Sequence, residues 1–152
     1  MAVKLNAPTA ELVKIDVDAH PLFCRLWKEL GVRRIVKSNI DDFRATDGLS
    51  VLCLADDPVM YKETLDMAAI APELFASFED ALSSAGFTDP AEGRSIANGL
   101  GIRKLPAVAV FLYGDMLGAV EGLKSWKDYQ SELVKILTAP AKAKKSIPIA
   151  AL

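Results

Sequence analysis

Residues 101–122, GIRKLPAVAVFLYGDMLGAVEG, restrict the possible folds more than any other part of the chain. Residues 107–113 form an unbroken apolar run, residues 116–120 form a second one, and Gly114-Asp115 lies between them. Glycine at the first central position is typical of a two-residue hairpin turn of type II′. Pro106 precedes the first run, and proline has no N–H for a strand ladder, so that strand must lie at an edge or begin after it. The sequence therefore predicts a tight β-hairpin that is entered through a proline.

Residues 49–55, LSVLCLA, form another apolar run with the length of one strand. Such runs are typical of strands that are buried on both faces, in a sheet with helices on each side. Asp56, Asp57 and Pro58 follow directly. Ligands bind open α/β sheets at the carboxyl ends of the strands, so the loop at residues 56–61 is a candidate site.

Glu63 and Asp66 follow this loop, so that four carboxylates fall within residues 56–66. Carboxylates at close spacing can bind a cation, act as a general acid and base, or contact a basic partner. The segment lacks the glycine and the closing glutamate of a standard calcium loop. We therefore predict no metal, no cofactor and no catalytic residue, while a carboxylate site for a small ligand stays an open alternative.

Charge is unevenly distributed along the chain. Residues 41–100 carry twelve acidic and three basic residues, a net charge of −9 in a chain whose total is −2. An acidic face disfavours nucleic acid and attracts a basic peptide. The alternative is an acidic surface that contacts only solvent.

Length and composition indicate one globular domain. The chain has 152 residues, of which 51% are hydrophobic and 25% charged. No apolar run reaches the ~18 residues that a membrane span needs. The first residues, MAVKLNAPTAELVKIDVD, lack the apolar core of a secretory signal. We therefore expect a cytoplasmic protein that is not embedded in a membrane.

The two cysteines, Cys24 and Cys53, are 29 positions apart and form no CxxC motif. Dithiol exchange needs an attacking thiolate and a resolving partner, and the loop at residues 56–61 supplies neither. Buried cysteine is common, so both side chains are expected in the core. The alternative is an oxidoreductase that uses Cys53 alone, near the end of its strand.

The remaining elements follow from hydrophobic periodicity and from helix start and stop signals. In chain order these are a helix from an Asp18 cap to Gly31, a strand at 32–37, a helical turn at 40–43, a helix at 67–78 that contains Pro72, a strand at 81–88, a helix from Asp89 and Pro90 to Leu100, and a helix from a Ser125 cap to Thr138. Residues 1–138 would form the domain, with an irregular arm at 1–17, and residues 139–152 a flexible tail.

This element order is the thioredoxin-like plan, an α/β fold with a mixed central sheet, helices on both faces, and a C-terminal β-hairpin followed by a helix. In that plan a cis X-Pro bond opens the strand before the final hairpin and faces the active-site helix. Such a bond costs only ~0.5–1 kcal/mol, so the surrounding structure can hold it. The loop at residues 56–61 occupies the position of the redox CxxC.

Several segments, taken in order and spacing, resemble the HyaE/HupG hydrogenase-expression proteins: ADDP, ETLD, APELFASF, GIRKLPAVAVF, GDMLGAVEGL and SWKDY. The resemblance covers residues 36–137. It implies a non-catalytic, thioredoxin-like chaperone for the maturation of membrane-bound NiFe hydrogenases. The implied partners are the precursor of the small, Fe–S-carrying subunit and its twin-arginine signal peptide.

A signal peptide has a basic region and an apolar region, which an acidic groove beside a sheet can contact through ion pairs and strand addition. The residues expected to bind the basic region are Asp56, Asp57, Glu63 and Asp66. Leu105 and Pro106 are expected to form a floor beneath the peptide backbone. The alternative for Pro106 is a role in the fold alone.

Overall fold

The computed structural model describes residues 15–139. Most of the predicted arm and tail therefore lies outside the described residues. The helices are α1 (Pro21–Cys24, continued by a π-helical turn at Arg25–Glu29), α2 (Ile40–Arg44), α3 (Glu63–Ala76), α4 (Gly93–Gly99) and α5 (Trp126–Leu137), and a 3₁₀ turn covers Glu79–Ala81. The strands are β1 (Arg33–Ile35), β2 (Leu49–Leu54), β3 (Leu82–Thr88), β4 (Ala107–Leu112) and β5 (Asp115–Glu121).

The strands form one five-stranded sheet in the order β1-β3-β2-β4-β5. β3 pairs in parallel with both β1 and β2, whereas β4 pairs antiparallel with β2 and β5. β4 lies inside the sheet and begins directly after Pro106, so the missing N–H falls outside the ladder. Together with helices on both faces and a C-terminal hairpin and helix, this topology confirms the thioredoxin-like plan.

Two hydrophobic cores cover the two faces of the sheet. Alternate residues of β2 enter different cores, because successive side chains of a strand point to opposite faces. Val51 and Cys53 belong to the core under α1, α3 and α5, and Leu52 and Leu54 to the core under α2 and α4. All four side chains are fully buried, which explains why residues 51–54 of this strand are all apolar.

The hairpin turn differs from the prediction by one residue. Leu112 pairs with Asp115, so the central turn residues are Tyr113 and Gly114. Their φ values are +50° and +90°, and positive φ at both central positions is a feature of the type I′ turn. The prediction of a type II′ turn centred on Gly114-Asp115 was therefore wrong.

The predicted starts of three helices were also wrong. The first helix begins at Pro21, and its cap is His20, whose Nδ1 accepts a hydrogen bond from the Leu22 N–H. The predicted cap, Asp18, instead pairs with Arg34. α3 begins at Glu63 rather than at 67, and α4 begins at Gly93 after a turn, not at the Asp89 and Pro90 signal.

Candidate partner-binding site

The candidate site lies where β2 and β3 end, β4 begins and β5 ends. Parallel pairing places the carboxyl ends of β2 and β3 together. The antiparallel register pairs Leu54 of β2 with Ala107 of β4, and Ala107 with Glu121 of β5. The loop after β2 and the Leu105-Pro106 bond before β4 therefore share one end of the sheet, as the thioredoxin-like plan predicted.

The first part of the β2–α3 loop is held by buried hydrogen bonds. The Ala55 N–H donates to Thr88 Oγ1 at 3.0 Å, and the Thr64 hydroxyl donates to the Asp56 carbonyl at 2.7 Å. Gly93 packs so closely against this loop that an added Cβ would lie 1.8 Å from the Ala55 oxygen. Contacts with β3, α3 and α4 therefore fix the position of the chain where it leaves β2.

Arg94 of α4 connects the two loops at this end of the sheet. Its Nε lies 2.9 Å from Asp56 Oδ2, and a terminal nitrogen donates to the Arg103 carbonyl at 3.1 Å. The guanidinium carbon lies 5.6 Å from the centre of the Tyr61 ring. The Asp56 side chain is only 16% exposed, so its charge is largely neutralised within the protein.

The Leu105-Pro106 peptide bond is cis, and the backbone around it has partners on β5. Glu121 Oε1 accepts hydrogen bonds from the N–H groups of Arg103 and Lys104, each at 2.9 Å. These two bonds stabilise the carboxylate and lower the pKa of Glu121. The Pro106 carbonyl accepts a further bond from the Gly122 N–H at 2.8 Å.

A groove of about 460 Å³ lies beside the loop and the first turns of α3. We call it the loop groove; its lining residues are Ile15, Pro58, Val59, Lys62, Leu65 and Asp66. A second cavity of about 240 Å³ also contacts Ile15 and Pro58 and is bordered by Asp57. The two spaces share Ile15 and Pro58, and their lining is mostly apolar, with Asp57, Asp66 and Asp89 as acidic residues and Lys62 as a basic one.

The structure divides the predicted site residues into three groups. Asp57 and Asp66 are exposed and border the loop groove and its neighbouring cavity. Asp56 is paired with Arg94, and Glu63 is exposed but lines neither space. Leu105 is half-buried against the core under α2 and α4, and Pro106 is buried. These assignments to a partner stay predictions.

The sequence analysis did not single out two exposed apolar side chains at the tip of the loop. Met60 is 72% exposed and Tyr61 is 42% exposed. They follow Pro58 in a segment where the chain turns, because the Tyr61 N–H donates to the Asp57 carbonyl. The sequence contains a signal for this exposure, because Met60 and Tyr61 lie between Pro58 and the start of α3 at Glu63. The predicted helix start at residue 67 hid this signal.

The alternative single-cysteine site is not supported, because Cys53, the penultimate residue of β2, is enclosed between two neighbouring strands. It pairs with Phe87 on one side and Val108 on the other, and its side chain is fully buried. Burial raises the pKa of the Cys53 thiol, because a thiolate would be poorly solvated there. A nucleophilic cysteine needs a thiolate and access to substrate, and burial of Cys53 opposes both.

A family model described as Hydrogenase-1 expression protein HyaE matches residues 22–129. The chain belongs to the HyaE family of hydrogenase expression proteins. It is 31% identical to the hydrogenase expression/formation protein HupG of Rhodobacter capsulatus, over 79% of this chain and 87% of that protein. It is also 32% identical to HoxO of Azotobacter vinelandii, another hydrogenase expression/formation protein, over 86% of each chain.

Among solved structures, a mutant thioredoxin from Halobacterium salinarum NRC-1 is similar to this HyaE-family chain, with a TM-score of 0.49 and 18% identity. The match covers 68% of this chain and 87% of the thioredoxin. Within residues 15–139, no helix of the HyaE-family chain is both long enough and apolar enough to cross a membrane.

Proposed function

We propose that this chain is a non-catalytic assembly factor, acting in the cytoplasm, for a membrane-bound NiFe hydrogenase. In this proposal it binds the precursor of the hydrogenase small subunit through the twin-arginine signal peptide. Membership of the HyaE family supports a role in hydrogenase expression. The observation that carries the binding proposal is the loop groove with its adjoining cavity, where apolar lining residues lie beside the exposed carboxylates of Asp66 and Asp57.

The chemistry of the loop groove matches the two regions of a signal peptide. Pro58, Val59 and Leu65 supply apolar surface for the side chains of its hydrophobic region. Asp66 in the groove and Asp57 in the adjoining cavity supply negative charge for its arginines. Exposed ion pairs of this kind add selectivity and a faster encounter more than they add affinity.

Asp56 has a different part in this proposal from Asp57. Its carboxylate already accepts a hydrogen bond from Arg94 and lies mostly out of solvent. Replacing it would leave the Arg94 guanidinium without its partner and loosen the connection to the Arg103 carbonyl. A loss of binding in an Asp56 variant could therefore come from a disturbed loop or from a lost contact with the peptide. The test uses Asp57 and Asp66 for this reason.

The test is a binding titration with a twin-arginine hydrogenase signal peptide at low and at high salt. We expect the dissociation constant to rise with salt, because ions screen exposed charge pairs over a Debye length of ~10 Å at 0.1 M. The double variant Asp57→Asn with Asp66→Asn should bind more weakly at low salt, and the salt dependence should shrink.

The matched control is the double variant Asp47→Asn with Asp115→Asn. It removes the same charge from exposed carboxylates at the opposite end of the sheet, about 20 Å away along β2 at ~3.3 Å per residue. Binding in this control should match the unchanged protein. Equal weakening in both doubles would show a diffuse charge effect rather than a site, and no binding at either salt would refute the proposal.

A further inference from the structure

We infer that Asn39 closes the β1 edge of the sheet and thereby prevents β1 of one copy of this chain from pairing with β5 of another. Among the described residues, the sheet ends in β1 on one side and in β5 on the other. An edge strand presents unpaired N–H and C=O groups, which can pair with a strand of a second copy. The inference is independent of the proposed function, because it rests on hydrogen bonds and charges within residues 15–139.

The outward-facing backbone groups of β1 are bonded to a side chain of the same chain. The Asp89 N–H donates to the Ile35 carbonyl on the side of β3, so the groups of Arg34 and Val36 point away from the sheet. The Asn39 side chain bonds to both residues: the Val36 N–H donates to its Oδ1 at 2.8 Å, and its Nδ2 donates to the Arg34 carbonyl at 3.0 Å. One residue of a parallel neighbouring strand would form the same pair of bonds, so Asn39 occupies the place of that strand.

Asn39 makes these bonds instead of capping the helix that follows it. It is the N-cap residue of α2, a position where an asparagine side chain commonly accepts a hydrogen bond from the first helical turn. Among the described residues it accepts no such bond. The Val36 carbonyl, the next outward group, accepts from the N–H groups of Asn39 and Ile40, each at 3.1 Å. Both backbone groups of Val36 and the carbonyl of Arg34 are therefore unavailable to an added strand.

The β5 edge, by contrast, is open in the described part of the chain. The Gly122 N–H donates to the Pro106 carbonyl, and from that point bonded pairs alternate with non-bonded pairs along β4 and β5. Ala119 and Ala109 form a non-bonded pair, so the Ala119 N–H and carbonyl point away from β4. Within residues 15–139, neither group has a hydrogen-bond partner. A strand of a second copy can therefore pair with β5 at this point.

The charges of the two edge strands favour pairing between unlike edges. Two copies of β5, aligned antiparallel along their full length, would place Asp115 of each copy opposite Glu121 of the other, and like charges directly opposite are destabilising. β1 begins with the exposed Arg33, so pairing of β1 with β5 meets no such repulsion. This contact is heterologous: it leaves a free edge at each end and continues into open-ended chains. Asn39 blocks such assembly at β1.

The test compares Asn39→Ala with Asn98→Ala, which removes an exposed asparagine side chain from α4. Analytical ultracentrifugation over a range of concentrations measures the size of the assemblies. We expect Asn39→Ala to form species that grow with concentration beyond a dimer, whereas Asn98→Ala should keep the size of the natural chain. Asn39→Asp retains the acceptor for the Val36 N–H but loses the donor to the Arg34 carbonyl, so it should associate less than Asn39→Ala.

A second substitution in the Asn39→Ala variant identifies the strand that β1 meets. Ala119→Pro removes an outward N–H of β5 but no bond to β4, and proline is tolerated at such edge positions. The double variant should return to the size of the natural chain. The matched double variant with Ala119→Val keeps the N–H and should still associate. Association that Ala119→Pro leaves unchanged would overturn the inference, as would an Asn39→Ala variant that stays the size of the natural chain.

A measurement on the natural chain needs no substitution and therefore does not depend on whether a variant folds. The Val36 N–H is bonded to Asn39, whereas the Ala119 N–H is open. The Val36 amide should therefore exchange with deuterated water more slowly than the Ala119 amide, as NMR spectra recorded over time would show. Equal exchange rates at the two amides, or open-ended assembly of the natural chain itself, would contradict a closed β1 edge.

Discussion

The first and second halves of the β2–α3 loop differ in how tightly the structure holds them. Ala55 and Asp56, which we call the base of the loop, are bonded to Thr88, Thr64 and Arg94. In residues 57–61, which we call the tip, the hydrogen bonds are local: the Val59 N–H donates to Asp57 Oδ1, and the Tyr61 N–H donates to the Asp57 carbonyl. The ring of Tyr61 lies beneath Arg94. Ala55 is fully buried and Asp56 is half-buried, whereas Met60 at the tip is exposed.

This difference suits a loop whose base must keep a fixed position and whose tip must contact a partner. Here the base keeps a defined position through hydrogen bonds and close packing, whereas the tip presents apolar and acidic side chains to solvent. We therefore expect changes at the base to affect mainly stability, and changes at the tip to affect mainly binding.

The largest expected effect comes from Gly93→Ala, which places a methyl group 1.8 Å from the Ala55 oxygen. Neither backbone can move freely, so we expect a loss of about 3 kcal/mol in the free energy of unfolding. The matched control is Gly99→Ala at the other end of α4, where an added Cβ has no described atom within 4 Å. Urea titrations of the two variants would measure the difference, and equal stabilities would show that the base tolerates expansion.

Arg94→Gln should have an intermediate effect on both properties. It removes the ion pair with Asp56 and the stacking over Tyr61, and it leaves a mostly buried carboxylate without its charged partner. Because Arg94 is 39% exposed, solvent screens the pair, and we expect a loss of roughly 1 kcal/mol in the free energy of unfolding.

Binding of the signal peptide to the Arg94→Gln variant tests whether Arg94 affects only the β2–α3 loop or also connects it to the loop before the cis proline. Arg94 joins the β2–α3 loop to the carbonyl before the cis proline, so its loss should weaken binding even though the tip carboxylates are unchanged. Binding equal to that of the unchanged protein would mean that the two loops act independently.

Much of the fold could be predicted because its buried strands can be recognised from consecutive residues in the sequence. The runs at 51–55 and 107–112 are continuously apolar because β2 and β4 are buried on both faces, and that pattern needs no knowledge of the partner strands. Helix starts were harder to predict. The first turn of α3 contains Glu63 and Asp66, which are exposed, so no apolar periodicity marks it until Met67.

The candidate site was less predictable, because its contacts join residues that are distant in the sequence. Asp56 and Arg94 are 38 positions apart, and no local pattern pairs them. The loop groove includes Ile15, which lies in a segment that the sequence predicts only as an irregular arm. The position of the site at the end of β2 followed from topology, whereas the pairing state of each carboxylate needed the folded structure.

A change at Glu121 tests whether the loop before the cis proline is held by hydrogen bonds, as the base of the β2–α3 loop is. Hydrogen bonds from the N–H groups of Lys104 and Arg103 lower its pKa in the folded state. A carboxylate with a lowered folded pKa contributes stability above its unfolded pKa of ~4.3, and this contribution is lost as the pH falls through the folded value.

We therefore expect Glu121→Gln to lower the melting temperature slightly at pH 7 and to remove part of the decline that the natural protein shows below about pH 4. Melting curves of both proteins between neutral and acidic pH would measure this. Parallel curves at every pH would show that the Glu121 carboxylate adds nothing to the stability of this loop.

The smallest effect on stability is expected at the tip, where a variant should change binding much more than stability. Tyr61→Asn removes an exposed ring and its contact with Arg94, so the free energy of unfolding should fall by only ~0.5–1 kcal/mol. Tyr113→Asn is the matched control, because Tyr113 is 56% exposed in the hairpin turn at the opposite end of the sheet. We expect the first variant to lose signal-peptide affinity and the second to keep it, whereas equal affinities would remove the tip from the binding surface.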